Sequence, residues 1–484
     1  MKRIFVILLI VPAFSVMKAQ SDSFREQYEN FQREAFSSYS TFRDECNRNY
    51  AEFLLQSWEQ FQSKPEIHKP VEKDVPPVIY EKDPSPIKDN EVIIDEIVID
   101  KDVDLPQPEP IEPIKETPVF IPSYFSFNFY NTPLRVRAEE RLRFSLPSIR
   151  EKDLSNAWEQ LSGSDYNNIV LDCLKIRDEY NLCDWAYLLM IKAFSDAFIN
   201  GENESTLLTA YIYSQSGYKM RLAMSQGKLY MLYASQHEIY DRVYYTIDGS
   251  RFYPLGGEPK SLSIANFSFP KEQELSLAIR QTPKLAKNES SSRSLAARDY
   301  PLTASCSVNR NLLDFFTDYP SSQLDDNPMT KWAMYAQTPL DKQTLDQLYP
   351  SLSEAIKDKS QTTSVGILLN FVQTAFVYEY DNVVWGHDRA FFAEETLFYP
   401  YCDCEDRCIL FSHLVRELVG LDVLLLYYPD HLCTAVKFTE SVSGDYLTVS
   451  SDRYYICDPT YIGAGIGVTM PRYKNQSAKV WKIR

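Results

Sequence analysis

The stretch Tyr399-Pro-Tyr-Cys-Asp-Cys-Glu-Asp-Arg-Cys408 runs without a break into Ile409-Leu-Phe-Ser-His-Leu-Val-Arg-Glu-Leu-Val-Gly420. The second half spaces its apolar residues at helical intervals and ends on glycine, the residue that most readily closes a helix. This predicts a helix whose first turn carries Cys404. The free N–H groups and the positive end of the helix dipole favour an anion there, so the thiol is expected to ionise easily. Downstream, Asp422 to Tyr428 reads as a buried strand and His431-Leu-Cys-Thr-Ala-Val-Lys-Phe438 as a second. Tyr454-Tyr-Ile-Cys457 reads as a third, and it delivers Asp458 just before Pro459, where a sheet must stop.

These residue types suit one chemistry. A thiol is a weak nucleophile until a base takes its proton, and histidine can do that near neutral pH. A carboxylate on the far ring nitrogen then fixes the tautomer and steadies the imidazolium. Taken singly, a histidine opening a strand is often structural and an aspartate before proline is often a turn residue. Cys408, one turn below Cys404, reads as a core thiol. Cys402, Cys404 and Cys408 with His413 do not follow a standard zinc spacing, so no metal and no cofactor are expected. Nine cysteines leave at least one unpaired, and a disulfide among Cys402, Cys408, Cys433 and Cys457 stays open.

The segment resembles the transglutaminase-like superfamily. The matching residues are Asp403-Cys404-Glu405-Asp406 opening a helix, His431 starting a strand, and Asp458-Pro459-Thr460 ending the next. The resemblance spans residues 360 to 465. It implies a papain-like α+β core and a catalytic triad of Cys404, His431 and Asp458. It further implies acyl transfer on amide bonds of a peptide or protein substrate, to water or to an amine. By analogy with papain-like enzymes, Gln373 is a candidate oxyanion donor on a helix expected from Gly366 to Tyr378. Trp385, His387 and Arg389, just ahead of the nucleophile helix, are candidates to line the substrate groove. The chain departs from the family pattern at Cys402, where glycine is usual, and at Leu432-Cys433, where aromatic residues are common.

The remaining sequence divides by composition. Lys2, Arg3 and the apolar run Ile4 to Val16 read as a signal peptide over 1–19, so the chain is expected to be exported to the periplasm or extracellular space. No membrane span is expected. Residues 20–62 repeat every eleven positions, as in Phe31, Phe42, Phe53 and in Tyr28, Tyr39, Tyr50, Phe61. That period predicts one long, nearly straight helix with an aromatic stripe. Such a stripe must be covered. Self-association is the first expectation, docking on a partner the second, and folding back onto the chain's own domains the third. Residues 63–118 are rich in proline and acid and read as a tether, with Glu91 to Asp100 able to pair transiently with a sheet edge. The regions 119–299 and 300–484 read as two α+β domains separated by a loop over Lys284 to Asp299.

Sliding the sequence by 203 residues superposes Gly217 on Gly420, Leu207 on Leu410, Glu202 on Glu405 and Leu229 on Leu432. The region 119–299 is therefore expected to be a degenerate copy, with Gly201 for Cys404, Lys228 for His431 and Asp248 retained for Asp458. The formal charge of −17 argues against nucleic acid as a partner. Two functions follow: a thiol peptidase, amidase or acyltransferase, and an inactive binding or assembly protein on the same scaffold.

Overall fold

In the C-terminal strands every second side chain points to one apolar layer and the rest to another. Leu424, Leu426, Cys433, Ala435, Tyr454 and Ile456 share one cluster. Val423, Leu425, Leu432, Val436 and Tyr455 join the other. Strands buried on both faces read as continuous apolar runs, which is why Val423–Tyr428 was legible as a strand. The computed structural model describes residues 42–70, 77–81, 88–99 and 107–483. The expected signal peptide and the helix repeat up to residue 41 lie outside them. Among the described residues no helix is long and apolar enough to cross a membrane.

The fold is mixed α+β. Five C-terminal strands lie in the order Asp445–Val449, Asp452–Cys457, His431–Lys437, Val423–Tyr428, Ala478–Lys482. Both edges of this sheet are taken by one N-terminal segment. Asn90–Glu91 runs parallel to Asp445–Val449, and Ile94–Ile99 runs parallel to Ala478–Lys482. Between them the Val92 N–H donates to Tyr446 O at 2.7 Å and the Ala478 N–H to Ile93 O at 2.9 Å. The sheet thus closes into a barrel with residues 90–99 as its seam, and Val92 sits in the barrel interior. The expected tether is corrected here. Tyr80 also bonds Ile462 O at 2.9 Å, and buried Glu112 accepts the Arg43 N–H at 2.9 Å. An extended chain offers a full row of backbone donors and acceptors whatever its side chains, and open sheet edges take them.

The long helix is corrected as well. The described helix spans 42–54, where the Trp58 indole donates to Leu54 O at 3.1 Å and closes the last turn. Glu59–Gln62 then leaves as an edge strand, antiparallel to Ser261–Ala265. Part of the described stripe is covered by its own chain, while Phe42 is exposed. Tyr50 packs on Trp158 at 4.4 Å and Phe269 at 4.9 Å between ring centroids, and Cys46 is buried.

The middle region repeats the C-terminal plan. After the helix Glu202–Gln215, strands Met220–Ser225, Lys228–Ser235, Tyr245–Ile247, Ser250–Pro254 and Ser261–Ala265 pair antiparallel. Their spatial order matches that of the C-terminal five, and each last strand carries an N-terminal strand on its outer edge. Ser225 faces Lys228 as Tyr428 faces His431. The register corrects one expectation. Asp248 belongs to a two-residue turn with left-handed φ at Asp248 and Gly249, matching Ser450 and Ser451. The Leu255 N–H donates to Met231 O as the strand leaves the sheet, so Gly256 occupies the place of Asp458. The boundary at 299/300 is also corrected, because Arg293–Ala296 and Thr303–Cys306 form a hairpin across it. One apolar core extends from Tyr50 to Ile483 through both regions.

If 90–99 is a barrel strand, Val92→Asp places an unpaired carboxylate in the interior and lowers stability by about 3 kcal/mol or more. Ile93→Asp, at the neighbouring exposed position, leaves the thermal midpoint near wild type. Equal midpoints for the two variants in a melting series would contradict the seam.

Candidate functional site

The helix Cys404–Leu418 begins at the candidate cysteine itself. Asp406 in its first turn reaches back, its carboxylate accepting the Asp403 N–H at 3.2 Å. His431 is the first residue of its strand, and Asp458 follows the end of Asp452–Cys457. Pairing of Thr434 with Cys457 brings those two strands together. His431 Nε2 and Asp458 Oδ2 lie 2.9 Å apart, both residues buried. The second Asp458 oxygen accepts the N–H groups of Thr460 at 2.9 Å and Tyr461 at 3.3 Å. A carboxylate can only accept here, so Nε2 carries the hydrogen and Nδ1 is the basic atom. Nδ1 is buried without a hydrogen-bond partner. The Tyr473 ring stacks on the imidazole at 5.2 Å and 11° and fixes its plane.

Cys404 does not bond His431. Its thiol donates to Glu405 Oε2 at 3.3 Å, and the residue is 8% exposed. The expected easy ionisation is overturned. Burial first, then the Glu405 and Asp403 carboxylates, push the thiol well above its ordinary range, against the Leu432 N–H that favours the thiolate. The helix N-terminus is there, but burial and then the carboxyls packed around it oppose the thiolate.

Those charges form a buried acidic group. One oxygen each of Asp381, Asp388 and Glu405 lie within 4.8 Å of one another, as do ligand atoms of Asp403, Cys404 and Glu405. Either set has the geometry to hold a cation. Burial, then Glu405 and Asp388, raise the Asp381 carboxyl to about 8, against Lys69 and the Arg389 N–H. Asp403 and Asp406 are pushed up by burial and by their acidic neighbours. Burial opposes ionisation of Asp388 too, but Lys331 and Lys69 hold its carboxyl below the usual range.

Gln373 is not placed to donate to an oxyanion. Its amide N–H groups reach the carbonyls of Asp458, Tyr461 and Ala464 at 2.9, 2.8 and 3.0 Å, and its oxygen accepts the Gly463 N–H at 3.1 Å. It clamps the loop that carries Asp458. Arg407, fully buried, reaches the same loop at Pro459 O, 3.5 Å, and ties it to the end of the Gln373 helix through Gln373 O at 3.2 Å and Phe376 O at 3.0 Å. The loop bearing Trp385, His387 and Arg389 does dock on the first turn of the Cys404 helix, because the Phe391 N–H donates to Asp406 Oδ1 at 2.8 Å. Trp385 packs on Tyr399 at 4.7 Å, Arg389 lies over Trp385 at 4.7 Å and pairs with Glu395, and His387 is exposed. Arg389 is therefore a packing residue. Tyr473 and Arg407 escaped the sequence reading, as did the contact of Glu405 with the thiol. All nine cysteines are free, and Cys408 Sγ bonds Leu432 O at 3.3 Å as a core thiol.

The chain matches no family model, no curated protein and no solved structure. The reading of the site therefore rests on its own geometry. In the middle region the equivalent positions hold Gly201, Lys228 and Gly256, with Lys228 paired to the largely exposed Glu202.

Gln373→Ala leaves three buried carbonyls short of a donor and is expected to cost about 2 kcal/mol or more in chemical denaturation. A variant as stable as wild type would refute the clamp. Asp381 has a second consequence. A carboxyl whose folded value is raised adds stability in full below its unfolded value and loses it as pH rises through about 8. The thermal midpoint should fall over that range, and Asp381→Asn should flatten the fall; parallel curves would exclude Asp381 as the titrating group.

Proposed function

We propose that the C-terminal region is a transglutaminase-like thiol enzyme that cleaves or transfers acyl groups at amide bonds of an exported peptide or protein substrate. The observation that carries this reading is the buried His431–Asp458 pair with Nδ1 left unpaired, beside a helix that begins at Cys404. The helix followed by an antiparallel barrel agrees with the papain-like core that the resemblance implies.

The steps follow from the atoms. Cys404 turns from Glu405 and gives its proton to His431 Nδ1, and the sulfur attacks the substrate carbonyl carbon. The tetrahedral intermediate collapses by breaking the C–N bond, and the imidazolium returns the proton to the departing amine. A thioester remains on Cys404. Water or a second amine, deprotonated by Nδ1, attacks it and restores the thiol. Asp458 holds the Nε2–H tautomer and balances the transient positive charge. On this reading the middle region is a copy whose site positions have become Gly201, Lys228 and Gly256, which leaves it a scaffolding role.

A second reading has its own observation. The thiol is bonded to Glu405 and held in its neutral form, as an inactive binding protein on the same scaffold would keep it. Iodoacetamide labelling of Cys404 near neutral pH, followed by peptide mass spectrometry, separates the two. For the enzyme, His431→Ala slows labelling about a hundredfold. Labelling equally slow in wild type and variant would leave the binding protein standing.

A further inference from the structure

Asp403 and Glu405 flank the nucleophile in sequence and meet it in space. One oxygen of each and Cys404 Sγ lie within 4.8 Å of one another. Glu405 is 1% exposed, yet its Oε1 has no hydrogen-bond partner, and neither has the buried Oδ1 of half-buried Asp403. A buried carboxylate oxygen without a donor is costly, and two at one point are more so. The nearby cations are engaged elsewhere. Lys69 and Lys331 pair with Asp388, Arg389 with Glu395, and Arg407 with main-chain carbonyls.

Resting on the thiol-enzyme reading above, we propose that the unpaired oxygens of Asp403 and Glu405 form a subsite for a cationic group of the substrate, a protonated amine or guanidinium close to the scissile amide. The bound cation donates to Glu405 Oε1 and Asp403 Oδ1 and supplies the donors both lack. It also offsets the two carboxylates that keep Cys404 neutral, so the correctly charged substrate frees the thiol to pass its proton to His431. An amide without that charge meets an unfavourable acidic wall. Specificity and activation of the nucleophile then come from the same contact.

Three alkylating agents of similar size test this on the full chain treated with EDTA: 2-chloroacetamidine, 2-chloroacetamide and chloroacetate. They carry positive, zero and negative charge, and each forms one S–C bond on Cys404 and releases chloride. Rates at Cys404, read by peptide mass spectrometry, are divided by those of glutathione. The proposal expects the cationic reagent to be favoured over the neutral one about tenfold or more, and the anionic one to be disfavoured. Glu405→Gln and Asp403→Asn should each shrink that preference several-fold, with a melting curve confirming the fold. Two single variants guard against one that fails to fold. A preference equal to that of glutathione, or one unchanged in both variants, overturns the subsite. So does a preference that appears only after EDTA, which would assign the same oxygens to a metal ion. Loss of labelling contrast between wild type and His431→Ala is a separate result, and it would remove the enzyme reading instead.

Discussion

Thr434 lies opposite Cys457, and the aim of the histidine and the aspartate follows from that pairing. Side chains alternate along a strand, so a slip of one residue would turn the whole set to the other face. Here the register is held twice. The barrel interior fixes it from one side through Ala435 and Ile456, and the helical layer fixes it from the other through Val436 and Tyr455. Gln373 and Arg407 then hold the chain where it leaves the sheet after Cys457, so the carboxylate is positioned by groups on two helices as well as by its own strand.

A different constraint governs Cys404. Helix N-termini attract negative charge, and this one has drawn Asp403, Glu405 and Asp406 from its own first turn and Asp381 from the preceding loop. Packed out of water, they cannot all stay ionised, so protons and two lysines share the balancing. The same accumulation keeps the thiol neutral. The site therefore sets an imidazole with an unpartnered Nδ1 near a thiol bonded to its own neighbour, and it differs in this from the simple dipole picture.

The parts with side-chain periodicity were legible in the sequence. The helix behind Cys404 and the strands opening at His431 and closing before Pro459 are written as apolar spacing and turn residues. The seam at 90–99 was not, because backbone groups make its pairing and its side chains show only Val92-Ile93-Ile94 and Ile97-Val98-Ile99 amid acid and proline. Phe61 kept the eleven-residue spacing yet sits on a strand, since an open sheet edge outweighed helical preference. Gln373 resembled an oxyanion donor by place alone. Its true partners lie 85 to 91 residues further on, beyond any local pattern. The acidic residues of the first turn were read only as part of a motif opening a helix, and only packing revealed that they crowd the sulfur.

The seam also sets an order of events. Its residues emerge from the ribosome more than three hundred positions ahead of the strands they join, and the last of those is Ala478–Lys482. The barrel cannot close until that strand has been made. Pairings at such sequence separation are slow to form, because a very long loop must be ordered first. Everything between seam and final strand is enclosed in that loop, including the whole middle region, which can fold early on local contacts and bring the distant ends near each other. A chain that stopped before Ala478 would keep its helix and hairpins but leave the edge of Val423–Tyr428 uncovered, an invitation to aggregate.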